Sequence, residues 1–534
     1  MRKRFNDTGL CVPGRHYMVD TSAKIEQLIR LVEEGAYFTI NRPRQFGKTT
    51  TLALLAKQLN QRSEYLALGV SFEGIDTVTY QRQDAFLTVF LKLLREESEY
   101  LGLPELTRLL EQHIGQVADM QTLSECLSRL IKTVTPEKAW VLLIDEVDKS
   151  SNNQLFLDFL GLLRKKYLRR NEGKEATFQS VILAGVHDVK TLKAKIRPDA
   201  EQKPFDRAQD RYNSPWNIAV DFTVDLSFSP ADIATMLQEY QQDKQIALDI
   251  PAIAAKLFYY TSGYPYLVSK LCKFIDEDLL PARQNRDWSV SDVDAAVAMI
   301  VNEGYTTTLF DSLIKNLENQ PELYDNVFNI VINGQKIPFN VNAPVIHLGV
   351  LYGILAPSPE GCRIHNRIYE QRIYNYLLAK VLTAQPTTTL AVSPDYYAEE
   401  GLNLRLVLQK FQEFMREHYS HRDQAFLERE GRLLFLAFLK PIINGKGFDF
   451  KEPNVADERR MDVVITYKQH RYVVELKRWY GPKAHQEGLQ QLSAYLDMYG
   501  LKEGYLLIYD FSKHKTYKQE TIAFQDKQIF AVWV

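Results

Sequence analysis

The sequence predicts a multidomain α/β protein, and three observations carry that expectation. A short apolar strand over 36–40 runs into a loop closed by Gly47-Lys48-Thr49-Thr50 and then into a helix over 52–59. Later, the apolar run 139–144 reads as a buried strand and ends in Asp145-Glu146. Near the C-terminus, two further strand runs carry Asp462 and Glu475-Leu476-Lys477. Strands alternating with helices call for a parallel or mixed sheet between helical layers. A chain of 534 residues is long enough for roughly three or four such domains.

The first strand, loop and helix form the setting of a P-loop. The loop reads Asn41-Arg42-Pro43-Arg44-Gln45-Phe46-Gly47-Lys48-Thr49-Thr50. Gly47 lets the backbone approach a phosphate, Lys48 reaches the β- and γ-phosphates, and Thr49 holds Mg²⁺. The N–H groups that open the helix complete the anion site. The common pattern is Gly-x-x-x-x-Gly-Lys-Ser/Thr, and here Arg42 stands where the first Gly is expected. Asp145 is the second oxygen of the Mg²⁺ shell, and Glu146 polarises the attacking water. Arg44, Gly47, Lys48, Thr49, Thr50 and Asp145 are thus the expected ATP-binding residues. A third strand over 181–186 ends at His187-Asp188, which reads equally as a γ-phosphate sensor or as a polar loop. Sequence selects no arginine finger among Arg197, Arg207 and Arg211.

At the C-terminal end, Asp462 begins the strand run 461–465, and Glu475 and Lys477 close the run 472–477. Positions two apart on a strand share a face. Two carboxylates and an amine therefore converge at one sheet edge, a donor set suited to a hard divalent cation, Mg²⁺ or Mn²⁺. Such a cation activates water, and a lysine stabilises charge on a phosphodiester. This stretch resembles the PD-(D/E)XK nuclease superfamily. The resemblance implies catalytic roles for Asp462, Glu475 and Lys477, with Asp462 and Glu475 as metal ligands. It extends to Glu430 on an upstream helix over 423–440, where Glu428 is an alternative. It also extends to Gln491 and Tyr495, a Gln-x-x-x-Tyr pattern on a helix over 484–499. Met461 stands where that superfamily usually writes Pro.

Over nearly its whole length the chain resembles an AAA-ATPase-like family of bacterial proteins, most specifically at its two ends. The residues that carry this are Tyr17-Met18-Val19-Asp20-Thr21 and Arg42-Pro43-Arg44-Gln45-Phe46-Gly47-Lys48-Thr49. That family routinely lacks the first loop Gly, and many members carry a C-terminal PD-(D/E)XK domain.

The middle of the chain reads as a helical lid followed by a winged-helix-like module. Ser229 caps a helix that has Pro230 at its first position and runs to Gln241. Thr261-Ser262-Gly263-Tyr264-Pro265 joins two more helices, either as a plain connection or as a lid element near the nucleotide. A helix ending over 348–355, a hairpin over 356–364 and a helix from Asn366 suggest the winged module, with protein contacts favoured over DNA reading. The expected divisions are an ATPase domain at 1–225, a lid at 226–310, the winged-helix-like module at 311–384, a linker at 385–400 and the nuclease-like domain at 401–534.

Composition fits a soluble globular chain, with 45% hydrophobic and 25% charged residues. No apolar run has the length of a membrane span. The basic start Met1-Arg2-Lys3-Arg4 lacks the apolar stretch of a signal peptide. The four scattered cysteines give no zinc spacing or disulfide framework, so a cytoplasmic setting is expected. Residues 401–534 hold 21 Lys+Arg against 17 Asp+Glu, mildly basic beside an acidic remainder. That balance fits a nucleic-acid partner, DNA in the first instance. The run Arg164-Lys165-Lys166-Tyr167-Leu168-Arg169-Arg170 reads as a solvated helix end in preference to a phosphate contact. The expectation is an ATP-binding and ATP-hydrolysing module that controls a metal-dependent nuclease on the same chain, in a setting such as defence against foreign DNA. The rival reading is a nucleotide-gated DNA-binding or regulatory protein that does not cut. Homo-oligomer formation is left open.

Overall fold

A computed structural model describes residues 3–147, 154–186, 216, 218–220, 224–283, 286–301, 305–332, 335–384, 396–397, 401–418, 431–432, 434–436, 438–439, 442, 447–450, 463–467, 470–479, 481–512 and 515–534. Two compact units divide the chain, Met1–Tyr324 with Pro338–Gln371, and Asp325–Ile337 with Arg372–Val534.

In the first unit, four strands form one parallel sheet: β1 Phe38–Asn41, β2 Tyr65–Ser71, β3 Ala139–Asp145 and β4 Ser180–Gly185. Their spatial order is β1-β4-β3-β2. Helices cover both faces, so β3 and β4 are apolar along nearly their whole length instead of alternating. The helix Gln83–Tyr100 shows the complementary pattern, burying Phe86, Leu87, Phe90, Leu91 and Leu94 on one stripe. β4 lies between β1 and β3, in register Ile40↔Ala184 and Ile144↔Leu183. That insertion brings the C-terminal ends of β1 and β3 to either side of β4, where ligands of open α/β sheets bind.

Four helices, Pro230–Lys244, Ile250–Thr261, Pro265–Phe274 and Val290–Val301, follow the sheet. Ser229 caps the first of them. Its Oγ accepts from the Asp232 N–H at 3.1 Å, and the Asp232 carboxylate accepts from the Ser229 N–H at 2.9 Å. The turn between the second and third helices needs glycine twice over. Gly263 has φ +72°, and an added Cβ would lie 2.1 Å from the Phe228 carbonyl oxygen. Further on, the helix expected to end over 348–355 is Pro344–Leu351. The chain then turns at Gly353 into a hairpin of β5 Leu355–Ser358 and β6 Gly361–Ile364. Asn366 is the cap of the next helix and not its first turn, since its Oδ1 accepts from the Tyr369 N–H at 2.8 Å.

The basic run 164–170 departs from its solvated reading in part: Lys165, Leu168 and Arg169 are exposed near the helix end, but Lys166 and Arg170 are engaged by the fold. The run lies on the helix Gln154–Asn171, and Lys166 is completely buried. Lys166 Nζ donates to Ser124 O at 2.9 Å and Ser128 Oγ at 2.8 Å and forms an ion pair with Glu175. Burial lowers the Lys166 pKa; burial raises that of Glu175, but Lys166 and Arg169 outweigh it and hold the carboxyl below its ordinary value. Arg170 lies over the rings of Tyr167 and Tyr37 and donates to Phe178 O at 2.7 Å and Gly35 O at 2.9 Å. The aliphatic stems bury against the sheet, and loop carbonyls and Glu175 receive the charges. Ser124, Ser128, Gly35 and Tyr37 among these partners are distant from the run in sequence.

The second unit is built on a mixed sheet in the order β11-β12-β10-β9-β8-β7. The strands are β7 Gly447–Phe450, β8 Val463–Tyr467, β9 His470–Arg478, β10 Glu503–Tyr509, β11 Gln519–Phe524 and β12 Lys527–Trp533. One face packs on the helix Leu404–His418 through Val407, Leu408, Phe411, Ile465, Val474 and Leu507. The other packs on the helix Pro482–Met498 through Val464, Val473, Leu492, Leu496 and Ile508. Adjacent residues of β8 and β9 thus face opposite cores, the period-two rule at work. No helix among the described residues is long and apolar enough to cross a membrane.

Candidate functional site

At the end of β1 the chain leaves the sheet through 42–46 and enters the helix Lys48–Asn60 at Gly47. Gly47 has φ +80°, yet nothing lies within 4 Å of where a Cβ would be. Backbone conformation, not crowding, demands glycine there. Lys48 is 6% exposed, and its Nζ donates to Arg42 O at 3.0 Å and Pro43 O at 2.9 Å. Thr49 Oγ1 donates to Asp145 Oδ2 at 2.6 Å, joining the loop to the end of β3. These are two hard oxygen donors side by side, the chemistry that Mg²⁺ requires. Asp145 Oδ1 accepts from the Glu146 N–H at 2.9 Å. Glu146 has φ +56°, a sparsely populated conformation for a non-glycine residue. That turn takes its side chain out of the strand direction immediately beyond β3.

Arg42, in the position of the missing glycine, works as a clasp. Its guanidinium donates to Asn41 O at 2.9 Å and to Val224 O at 2.8 Å, and its N–H donates to Gly185 O at 3.1 Å. Arg44 contributes its backbone carbonyl, which accepts from the Tyr264 hydroxyl at 2.5 Å. Phe46 meets Tyr264 edge-on at 4.7 Å between centroids and His365 at 6.1 Å. Pro43 fills the space in front of Gly353, where an added Cβ would lie 2.5 Å from its Cγ. The element 261–265 is therefore a lid contact of the loop, not merely a join between helices. Burial lowers the pKa of His365 to about 4, with Arg363 acting in the same direction and Asp225 against it.

Sequence reasoning missed the N-terminal segment. Thr50 Oγ1 accepts from the Cys11 N–H at 3.2 Å, tying residues 6–11 to the loop helix. The Asp7 carboxylate accepts from Lys270 at 2.7 Å and Lys273 at 2.8 Å, and Asn6 O accepts from Ser269 Oγ at 2.6 Å. Lys3 pairs with Glu239, and the Tyr17 hydroxyl donates to Asp243. Between this segment, the loop and the lid lies a cavity of about 150 Å³, lined by Asn6, Gly47, Thr50, Phe228, Met236 and Tyr266 among others. The only signal in the sequence was the stretch Tyr17–Thr21, noted for family resemblance and not for its position.

In the second unit, Glu475 of β9 is completely buried, and its Oε1 lies 2.9 Å from Lys477 Nζ. Lys477 Nζ also donates to Gln491 Oε1 at 2.6 Å. Gln491 belongs to the helix Pro482–Met498, and Gly488 on the same helix lies against the Lys477 stem. Tyr495 follows Gln491 by one turn and is buried with Leu492 and Leu496. The structure thus brings Glu475, Lys477 and Gln491 together. Glu430 and Asp462 lie outside the described residues, as do His187, Asp188, Arg197, Arg207 and Arg211. Glu475 offers hard oxygen donors; among the described residues, no group of three or more His, Cys, Asp or Glu side chains is gathered as for a metal ion.

A protein-family model described as an AAA-like domain matches residues 12–371. No curated protein matches the chain. Among solved structures, a Walker-type ATPase of Pyrococcus abyssi is 11% identical with a TM-score of 0.46, over 69% of this chain and 99% of its own. The ORC2 protein of Aeropyrum pernix, in ADPNP–ADP complexes, is 13% identical with a TM-score of 0.39, over 71% and 98%. RuvB of Thermotoga maritima is 15% identical with a TM-score of 0.33, over 66% and 94%.

Proposed function

Because the chain belongs to the AAA-like domain family, we propose that its first unit binds and hydrolyses ATP and thereby controls a metal-dependent phosphodiesterase in the second. The observation that carries the ATPase reading is the contact of Thr49 Oγ1 with Asp145 Oδ2. In this reading the two hold Mg²⁺, Lys48 leaves the Arg42 and Pro43 carbonyls for the phosphates, and Gly47 and Thr50 complete the cradle. Arg44 lines the loop, the base enters the cavity beside the N-terminal segment, and Glu146 orients the attacking water. The phosphodiesterase reading rests on the Glu475–Lys477–Gln491 cluster. There Glu475, with Asp462, is the proposed ligand of Mg²⁺ or Mn²⁺, and Lys477 stabilises the charge developing on a phosphate. Gln491, Tyr495 and Glu430 complete the proposed site. The substrate in this reading is nucleic acid, DNA foremost, and defence against foreign DNA is a setting that fits.

The test is an ATPase and DNA-cleavage assay on the full chain with Mg²⁺ or Mn²⁺. Glu146→Gln is expected to keep ATP binding and lose turnover, and Glu475→Ala to lose cleavage while ATP turnover persists. Wild-type turnover in the first variant removes Glu146 from its role. A wild-type chain that retains DNA and cuts none under any condition replaces the nuclease with the binding-only reading.

A further inference from the structure

Glu475 and Lys477 occupy alternate positions of β9, Trp479 follows the strand's last residue, and its N–H still donates to Tyr509 O at 2.9 Å, so all three keep the face turned to the helix Pro482–Met498. Glu475 is completely buried, the Lys477 side chain is 34% exposed, and Trp479 is half-buried. Two residues advance a strand by roughly 6.6–6.8 Å, so the indole sits one such step beyond the Lys477 position, toward the strand end. Trp479 is not alone. Its ring centroid lies 5.7 Å from that of His485, and both lie against Trp533, at 6.2 and 5.5 Å. Trp533 is 6% exposed and forms the floor, while Trp479 and His485 remain half-buried above it. Burial lowers the pKa of His485, so its ring is neutral at pH 7.

We propose that the Trp479 ring, flanked by His485 at an interplanar angle of 54°, stacks an unpaired base of the strand whose phosphate lies at Lys477, so that the second unit takes single-stranded nucleic acid. This rests on the nuclease reading of Glu475 and Lys477. In a duplex, every base face is covered by its neighbours in the stack, and an aromatic side chain beside the backbone meets a base only after it is flipped out. A single strand offers base faces directly, and each base–aromatic stack contributes about 1–3 kcal/mol with little dependence on sequence. The distance from phosphate to base within one or two nucleotides suits the single strand step between Lys477 and Trp479.

The experiment uses the full chain in EDTA, which prevents cutting, and measures fluorescence anisotropy of a labelled single-stranded oligonucleotide and of its duplex. Trp479→Leu keeps apolar volume in the core and removes the aromatic face; Trp479→Phe retains a face. Expected are a roughly tenfold or greater loss of single-strand affinity in Trp479→Leu, most of it restored in Trp479→Phe, and unchanged duplex affinity. Circular dichroism verifies that both variants are folded; if Trp479→Leu is not, His485→Ala carries the comparison, with a smaller loss expected for the single strand only. Equal single-strand affinity in wild type and variant, or equal losses for single strand and duplex, overturns the platform. A cleavage assay in Mg²⁺ or Mn²⁺ separates the two readings. A chain that binds single strands through Trp479 and cuts nothing ends the nuclease reading alone, whereas a chain whose cutting and single-strand binding ignore Trp479 ends the platform alone.

Discussion

Lys48 and Lys477 are both held in place at candidate phosphate sites, but by opposite means. Lys48 is nearly buried and rests on two neutral carbonyls, those of Arg42 and Pro43. Lys477 is one-third exposed and neutralises Glu475, a carboxylate with no exposure to solvent. A lysine held by dipoles keeps its full charge for an incoming polyphosphate. A lysine that compensates a buried carboxylate is also part of what lets that carboxylate be buried. The difference teaches that, in the proposed roles, the same residue type would serve ligand binding almost alone in the first unit, and binding together with folding in the second.

The sharpest way to break this comparison is to remove each lysine. Lys477→Ala removes a cation paired with the buried Glu475 and is expected to destabilise the second unit, by up to about 3–5 kcal/mol. Adding Glu475→Gln should return much of that loss. Urea unfolding followed by tryptophan fluorescence checks both, and a single mutant as stable as the wild type would contradict the coupling. The next effect belongs to His365, beside Phe46 of the loop. Its folded pKa of about 4 lies below the ordinary value of 6.5. The unfolded chain therefore binds the proton first. Stability is fully present above pH 6.5 and is lost between pH 6.5 and 4, by up to about 3 kcal/mol at one shifted histidine. His365→Leu should flatten that part of the stability–pH curve, and an unchanged slope would assign the acid sensitivity elsewhere.

Lys48→Ala should lower ATP affinity by about 100-fold or more, near 2.7 kcal/mol, and change stability by less than about 1 kcal/mol, since the Arg42 and Pro43 carbonyls are neutral and the loop can rehydrate them. Titration calorimetry and thermal unfolding on the same sample test the pair of numbers. Unchanged affinity in a folded variant would remove the P-loop assignment. The smallest effect sharpens the comparison within the first unit. Arg170 is also a cation on carbonyls, but far from the loop. Arg170→Met should cost about 2 kcal/mol of stability, the scale of hydrogen bonds from a charged group, and leave ATP affinity untouched.

Local chemistry was legible where it depends on spacing along one element. Gly47, Lys48 and Thr49 fall at a helix start, and Asp145 at the end of an apolar run. Glu475 and Lys477 are two apart on a strand, and Gln491 and Tyr495 four apart on a helix. Those periods belong to the backbone and are the same in any context. Roles set by partners distant in sequence were not legible. The run 164–170 looked solvated because Glu175, Ser124 and the carbonyl of Gly35 reach it only once the sheet is assembled. Arg42 looked like a missing glycine because Val224 and Gly185 are nowhere near it in the chain. The cavity beside the loop needed residues 6–11 to fold back across Thr50. By itself the sequence determined which segments become strands and helices and which side chains stand at their ends, since hydrophobic period and terminal residues are local properties. Only the tertiary structure decided that β4 lies between β1 and β3, that the lid element at 261–265 closes on Phe46, and that Lys477 shares its charge with Glu475 and Gln491. The first two are contacts between segments far apart in the chain, and the third needs the helix Pro482–Met498 to pack on β9; burial and pairing fix them, and no local pattern encodes them.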